Sequence, residues 1–178
     1  RRNKTSIKPV MTVRRTSRIK VLGASICLLL GTYFSNATIL TFQSSLDPVQ
    51  AGVAGTGSGS ATLTVNDVTG LITITSGSFS GLSGTTTAAH IHGLAGPGVT
   101  AGVLIGLTVP LGVTSGTISG SGTLSGANLT GFLNGQTYIN IHTTTFGGGE
   151  IRGQILQVPE PTSLALFGLG AIALIVRR

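Results

Sequence analysis

Two segments, Ala61-Thr62-Leu63-Thr64-Val65 and Leu71-Ile72-Thr73-Ile74-Thr75, decide the fold class of this chain. In each segment apolar residues alternate with threonine, so an extended strand would have one apolar and one polar face. The intervening residues 66–70 are of types that favour a turn. The sequence therefore predicts a β-hairpin with one face turned toward a core.

Further strand-like segments are separated by short Gly-rich stretches. One segment, residues 127–133, is predicted to be helical and to end at Asn134-Gly135. Many short strands with frequent turns predict an all-β fold, an antiparallel sandwich or flattened barrel; a Gly/Thr-rich repeat solenoid is the alternative. The additional strands are predicted at residues 77–82, 88–92, 102–107, 117–124, 137–143 and 150–157.

The positive charge of the chain is concentrated at its ends. The net charge is +7, but eight of the 11 Lys and Arg residues precede Val21, and Arg177 and Arg178 are the last two residues. The middle carries a single base, Arg152, against the acids Asp47, Asp67 and Glu150. Nucleic-acid recognition needs positive charge spread over the folded domain, so we exclude nucleic acid as a partner.

Residues 1–37 predict a secretory signal peptide. A basic stretch is followed by an apolar run over residues 21–34, and Ser35-Asn36-Ala37 supplies small residues at a cleavage site after Ala37. This pattern implies export through the Sec translocon and removal by signal peptidase. An uncleaved anchor is the alternative, but the apolar run is shorter than the ~20 residues that span a bilayer.

Residues 158–178 form a tail with three parts. Val158-Pro159-Glu160-Pro161 is followed by an almost wholly apolar stretch, residues 162–176, and then by Arg177-Arg178. A helix over the apolar stretch would measure about 22 Å, short of a ~30 Å hydrocarbon core. Flanking arginines can snorkel and a bilayer can thin, so we predict a transmembrane helix with its arginines in the cytoplasm.

The tail resembles the PEP-CTERM sorting signal of Gram-negative bacteria that make exopolysaccharide. The resemblance rests on Pro159, Glu160 and Pro161, on the apolar helix, and on the basic pair Arg177 and Arg178. It implies as partner an exosortase, a membrane cysteine protease or transpeptidase that removes the tail near Pro-Glu-Pro. The inner-membrane anchor would then be transient, and the protein would reach the cell surface or extracellular space. A permanent anchor is the alternative.

All three histidines of the chain fall in two predicted strands. His90 and His92 flank Ile91, and His142 shares a strand face with Tyr138 and Asn140. Side chains two residues apart share a face, so each segment directs isoleucine to one side and polar groups to the other. If the strands are neighbours, the polar groups form one patch outside the core.

These polar groups support two interpretations. Imidazoles from neighbouring strands could hold Cu or Zn with one position left open. Alternatively, they hydrogen-bond to groups such as Asn140 or to the backbone and brace the sheet without a metal. Glu150 and Arg152 are two residues apart and so are predicted to share a strand face, where they would form an ion pair or hydrogen-bond cluster that braces the last strand. The candidate metal ligands are His90, His92 and His142.

We predict no enzymatic activity. Hydrolytic chemistry generally requires a second carboxylate or an activated nucleophile, and Asp47 and Asp67 lie in segments without a matching motif. A nucleophile elbow in a strand-to-helix setting is missing from the sequence. The Gly-rich stretch at residues 55–60 lacks the lysine of a phosphate-binding loop.

The histidine segments resemble the CHRD domain, first described in chordin and present in many bacterial secreted proteins. The resemblance covers residues 38–157 and rests on AHIHGLAGPG at residues 89–98, YINIHT at 138–143 and GEIRGQ at 149–154. It implies an immunoglobulin-like β-sandwich or barrel similar to that of Cu/Zn superoxide dismutase, and it supplies no established activity. We therefore expect an exported, non-enzymatic surface or matrix protein, structural or adhesive among extracellular polysaccharide in a biofilm. A secreted Cu- or Zn-binding protein is the alternative.

Overall fold

The computed structural model describes residues 36–159. Most of the predicted signal peptide and the predicted helix over residues 162–176 lie outside the described residues, as do Glu160, Pro161, Arg177 and Arg178. Within residues 36–159, no helix has the length and apolar character needed to cross a membrane.

Ten strands and two short helices make up the described range. In chain order they are β1 (Ile39–Leu46), α1 (Pro48–Ala51), β2 (Ser58–Asn66), β3 (Leu71–Ser80), β4 (Thr86–Gly93), β5 (Val103–Leu107), β6 (Gly116–Thr117), β7 (Ser121–Thr123), α2 (Gly126–Leu133), β8 (Thr137–Thr143), β9 (Ile151–Gln154) and β10 (Leu156–Gln157). The strands form two antiparallel sheets. The first has the order β10-β1-β2-β3-β6 with β7 also paired to β3, and the second has the order β5-β4-β8-β9.

The predicted hairpin is confirmed as β2 and β3. Leu63 pairs with Ile74 and Val65 pairs with Ile72, and all four side chains are buried. Asn66 accepts hydrogen bonds from two backbone N–H groups in the turn, which fixes the chain reversal locally. The alternation of apolar residues with threonine thus sets the register of the first sheet.

The two sheets pack face to face around one apolar core. Fully burying a Leu, Ile or Phe side chain stabilises a fold by roughly 1.5–3 kcal/mol, and both sheets contribute such residues. The antiparallel β-sandwich is therefore confirmed, and the repeat-solenoid alternative is wrong. The largest fully buried apolar side chains are Phe42, Leu46, Leu63, Ile72, Ile91, Phe132, Ile139, Ile141, Ile151 and Ile155.

Several element predictions are corrected by the structure. The predicted strand over residues 117–124 is two short strands, β6 and β7, because Gly120 adopts a positive φ of 140° between them. The predicted strand over residues 150–157 is also divided: β9 lies in the second sheet and β10 in the first. The segments predicted at 71–75 and 77–82 are one continuous strand, β3.

Two elements near the start of the domain were not predicted. Strand β1 places Leu40, Phe42 and Leu46 toward the core, but the buried Ser44 interrupts that apolar face. Helix α1 has a single turn and begins after Asp47, whose carboxylate accepts a hydrogen bond from the backbone N–H of Gln50. The predicted helix near residues 127–133 is confirmed as α2.

The two sheets approach each other closely where β9 passes β1. Asp47 and Arg152 exchange two backbone hydrogen bonds of 3.0 and 3.1 Å, and the Ser44 hydroxyl donates to the carbonyl of Gly153. A Cβ atom at Gly153 would lie 2.2 Å from the Ser45 carbonyl oxygen, so this approach requires glycine. The contact fixes the position of β9 and, with it, of Arg152.

Candidate metal centre

Adjacent strands of the second sheet bring the sequence-predicted polar groups together. His90 pairs with Asn140 and His92 with Tyr138 across β4 and β8, and Asn140 pairs in turn with Arg152 on β9. Paired residues point to the same side of a sheet. These side chains therefore lie on one face, opposite the isoleucines that fill the core.

The three histidines of the chain form one cluster on this face. One ring nitrogen from each of His90, His92 and His142 lies within 4.8 Å of the others. The closest approach, between His90 Nδ1 and His142 Nε2, is 3.2 Å. Two nitrogen ligands of a tetrahedral zinc ion, each about 2.0–2.1 Å from the metal, lie about 3.3 Å apart. The spacing matches that of two ligands of one metal ion.

Backbone carbonyls fix the protonation pattern of two of these rings. His92 Nδ1 lies 2.9 Å from the Ala101 carbonyl oxygen, and His142 Nδ1 lies 2.9 Å from that of Gly147. A carbonyl oxygen only accepts, so each Nδ1 donates a proton and each Nε2 is left with its lone pair in the neutral ring. Metal-bound histidines are oriented in this way by their second nitrogen.

The Nε2 atom of His92 is buried and has no hydrogen-bond partner among the described residues. Buried polar atoms in folded proteins are almost always partnered, because an unmet hydrogen bond costs about 1–3 kcal/mol. Without a metal, His90 Nδ1 can donate to His142 Nε2, but that contact leaves the His92 nitrogen without a partner. The donor chemistry of the cluster fits Cu or Zn.

The surroundings of His90 and His92 favour the neutral forms of these two rings. Burial lowers the pKa of His90, and the nearby rings of His142 and His92 lower it further. Burial also lowers the pKa of His92; its bond to Ala101 opposes this shift, while His142 and Arg152 reinforce it. Neutral imidazole is the form that binds metals.

Two loops cover the polar face and hold its side chains in place. Residues 94–102 supply the carbonyls of Gly96, which accepts from Arg152, and of Ala101, which accepts from His92. Residues 144–149 supply the carbonyl of Gly148, which accepts from the Asn140 amide. Gly149 has a φ of 123°, and a Cβ atom there would overlap the Asn140 side chain. Asn140 is thus a bracing residue whose loop contact requires glycine.

Tyr138 was placed on the polar face by strand alternation but was not predicted as a site residue. Its ring stacks on His92 with an interplanar angle of 7°, and its hydroxyl accepts a hydrogen bond from the Ala101 N–H. The Arg152 guanidinium carbon lies 3.4 Å from the centre of the ring. Tyr138 therefore positions both a candidate ligand and the adjacent cation.

The prediction that Glu150 and Arg152 share a strand face is wrong. Strand β9 begins at Ile151, and the Glu150 side chain lies on the other side, accepting hydrogen bonds from the Ser83 and Gly84 N–H groups and the Thr143 hydroxyl. Burial alone would raise the pKa of Glu150, but these bonds outweigh it and hold the pKa below its usual value. Glu150 anchors a loop, and Arg152 belongs to the polar face.

A cavity of about 140 Å³ adjoins the histidine cluster. His92 lines it together with Tyr138, Asn140 and Arg152, so one candidate metal ligand also borders the cavity. A larger groove of about 580 Å³ lies elsewhere, along β1, β2 and β10, and is lined mainly by Ser, Thr and Gln side chains. The groove contains none of the histidines.

Comparison with known proteins gives two family matches. Residues 42–155 match the sequence model of the CHRD domain, and residues 157–178 match that of the PEP-CTERM protein-sorting motif. The two resemblances drawn from the sequence are confirmed. No curated protein and no solved structure is similar enough to be matched to this chain.

Proposed function

Because this chain belongs to the CHRD domain family and ends in a PEP-CTERM sorting motif, we propose that it is a non-enzymatic structural or adhesive component of an extracellular polysaccharide matrix. The sorting motif indicates an exported protein whose processing partner is an exosortase. The proposed route begins with cleavage of a signal peptide after Ala37, followed by a transient inner-membrane anchor over residues 162–176. The end point is the cell surface or the extracellular space of a Gram-negative bacterium.

The observation that carries this proposal is the junction between domain and tail. The family match to the domain ends at residue 155 and the match to the sorting motif begins at residue 157. Gln157 pairs with Phe42 on β1, and the Val158 N–H donates to the Thr41 carbonyl. The folded hydrogen-bond network therefore reaches the residue before Pro159, and cleavage near Pro-Glu-Pro would leave the sandwich intact.

A processing experiment tests the sorting step. We expect a Glu160→Ala variant to stay unprocessed in the membrane fraction, and the wild-type protein to lose its tail. Asp67→Ala is the matched control, since it removes a partly exposed acid outside the motif whose carboxylate accepts a hydrogen bond from the Thr38 N–H. Equal processing and release of the Glu160→Ala variant and the control would contradict the proposal.

The non-enzymatic part of the proposal is supported by the contacts of the buried carboxylate in the domain. Glu150 is the one buried carboxylate among residues 36–159. It accepts hydrogen bonds from backbone N–H groups and from a threonine hydroxyl, so it anchors a loop and is not free to act as a catalytic acid or base.

A gene deletion tests the proposed matrix role. We expect deletion of the gene to reduce biofilm or floc cohesion and a plasmid copy to restore it. Unchanged cohesion under several growth conditions would contradict an adhesive role.

Binding of Cu or Zn by the histidine cluster is the second candidate function. It is favoured by the convergence of three imidazole side chains and by the buried, unpartnered Nε2 of His92. We expect the full chain to retain about one metal ion per chain after dialysis against limiting Zn(II) or Cu(II). A His90→Ala/His142→Ala variant should retain none. Equal metal content in the two proteins would contradict the assignment.

A further inference from the structure

The surroundings of the candidate metal centre contain positive charge that no described side chain neutralises. The three histidine ligands are neutral, so a bound Cu(II) or Zn(II) ion adds two positive charges. Arg152 adds a third and is only 4% exposed. Burial lowers the pKa of Arg152, but an arginine side chain stays protonated in proteins. Burying such charge without an anionic partner is costly.

The three acidic side chains within residues 36–159 are engaged elsewhere. The Asp47 carboxylate accepts two hydrogen bonds from Gln50, although its backbone pairs with that of Arg152. Asp67 accepts from the Thr38 N–H, and Glu150 lies on the opposite side of the sheet. A counter-charge for the site must therefore come from outside the described part of the chain.

The cavity beside the histidine cluster can admit that counter-charge. Its volume of about 140 Å³ lies well below the ~300 Å³ at which typical small-molecule pockets begin, so it suits a small anionic group. The Arg152 guanidinium and the His92 ring both line it. One guanidinium nitrogen of Arg152 donates to the Gly96 carbonyl, and a guanidinium has five N–H donors in all.

We propose that this cavity binds a carboxylate that coordinates the metal through one oxygen and pairs with Arg152 through the other. The inference rests on the proposed metal centre and identifies its additional ligand. Cu and Zn accept carboxylate oxygen alongside imidazole, and the planar guanidinium matches a planar carboxylate. The carboxylate belongs to a small free acid or to a uronate of an acidic extracellular polysaccharide.

Calorimetry on the full chain, purified in detergent, tests the metal centre and the carboxylate ligand separately. Zn(II) is titrated first without carboxylate, which tests the metal centre alone, and acetate is then titrated into the Zn-loaded protein. We expect acetate to bind, and saturating acetate to tighten Zn(II) binding about tenfold. Arg152→Gln should still bind Zn(II) but lose the acetate effect. Asp67→Asn, which also changes one charge but lies away from the cavity, should behave as wild type.

Each outcome bears on the inference. Zn(II) binding that acetate does not change would overturn the carboxylate ligand and leave the metal centre standing, and failure to bind Zn(II) or Cu(II) would overturn both. If Arg152→Gln does not fold, the wild-type protein loaded with Cu(II) provides a second test of the carboxylate ligand. Acetate should shift its visible absorption band, and equimolar perchlorate should not. An unchanged band contradicts the inference.

A comparison of trigalacturonate with acetate as ligands tests whether the carboxylate comes from a matrix uronate or from a small acid. Trigalacturonate should bind the Zn-loaded protein more tightly than acetate if a matrix uronate is the ligand, because its sugar rings add contacts outside the cavity. Tighter binding of acetate assigns the site to a small acid. Failure of both ligands to bind would overturn the proposal.

Discussion

The two faces of the four-stranded sheet are both largely buried, but by different means. On one face Ile91, Ile139, Ile141 and Ile151 are fully buried against the other sheet. The other face carries the histidines, Tyr138, Asn140 and Arg152 in alternate positions of the same strands, under loops at residues 94–102 and 144–149. One face is covered by apolar packing, and the other by backbone carbonyls that accept hydrogen bonds.

The two faces also differ in how well their buried polar atoms are partnered. The apolar face is filled by isoleucine side chains and leaves one hydroxyl, Thr137 Oγ1, without a hydrogen-bond partner, whereas the unpartnered buried atoms of the polar face among residues 36–159 include His92 Nε2 and Asn140 Oδ1. Such atoms reduce stability. The buried, unpartnered ring nitrogen of His92 therefore supports the proposed ligand-binding role of the polar face.

The largest effect is expected on the apolar face. Ile139→Ala should lower the free energy of unfolding by about 2–5 kcal/mol, because it removes buried methyl groups and leaves a cavity. Ile39→Ala is the matched control, since Ile39 is 56% exposed and should change stability by no more than about 0.5 kcal/mol. Urea denaturation measures both. An equal loss in the free energy of unfolding for the two variants would contradict the assignment of Ile139 to the core and Ile39 to the surface.

Glu150 on the core side of the sheet should give the next largest effect. Glu150→Gln is expected to lower the free energy of unfolding by about 1.5–3 kcal/mol, since it weakens hydrogen bonds to a charged acceptor. Asp67→Asn, at a partly exposed carboxylate with one hydrogen bond, is the control and should lower the free energy of unfolding less. Urea denaturation at neutral pH compares them, and an equal cost for both variants would contradict the anchoring role.

The same carboxylate predicts a pH dependence. The pKa of Glu150 is lower in the folded state than its usual 4.5. Its stabilising contribution is therefore complete above pH 4.5 and is lost as the pH falls through the lower folded value. Glu150→Gln should lose less stability than wild type when urea denaturation is repeated at successively lower pH. Parallel acid profiles for the two proteins would contradict this assignment.

On the polar face, Tyr138→Phe should have a smaller effect. It removes the hydroxyl that accepts from the Ala101 N–H at 3.0 Å but keeps the ring that stacks on His92. We expect a loss of about 0.5–1.5 kcal/mol in the free energy of unfolding and unchanged Zn(II) affinity. Calorimetry and urea denaturation on the same sample test this pair of results. A large loss of stability would indicate that the polar face also carries the fold.

The sequence predicted the parts of this comparison that depend on local periodicity. Alternation placed His90 and His92 opposite Ile91, and it predicted the β2–β3 hairpin. It did not reveal which strands pair, because pairing depends on contacts between distant segments. It also placed Glu150 on the wrong face, since the strand begins one residue later than the pattern suggested.

The remaining features of the site are backbone groups that accept hydrogen bonds from its side chains. The groups that set the protonation of His92 and His142 are the carbonyls of Ala101 and Gly147, which any residue type could supply. Residue identity therefore gave no signal for them. Strand β1 was missed for a different reason, because the buried Ser44 interrupts its apolar face.

The most direct test of the ligand-binding face is the stability of the full chain with and without Zn(II), measured for wild type and for His90→Ala/His142→Ala. Without metal, the two proteins should differ by less than about 1 kcal/mol in free energy of unfolding, as expected for partly exposed residues outside the core. Free Zn(II) at 100 times its Kd should add about 2.7 kcal/mol to wild type and nothing to the variant. A variant that is strongly destabilised without metal, together with no Zn(II) effect on wild type, would make the histidines part of the scaffold and contradict the account.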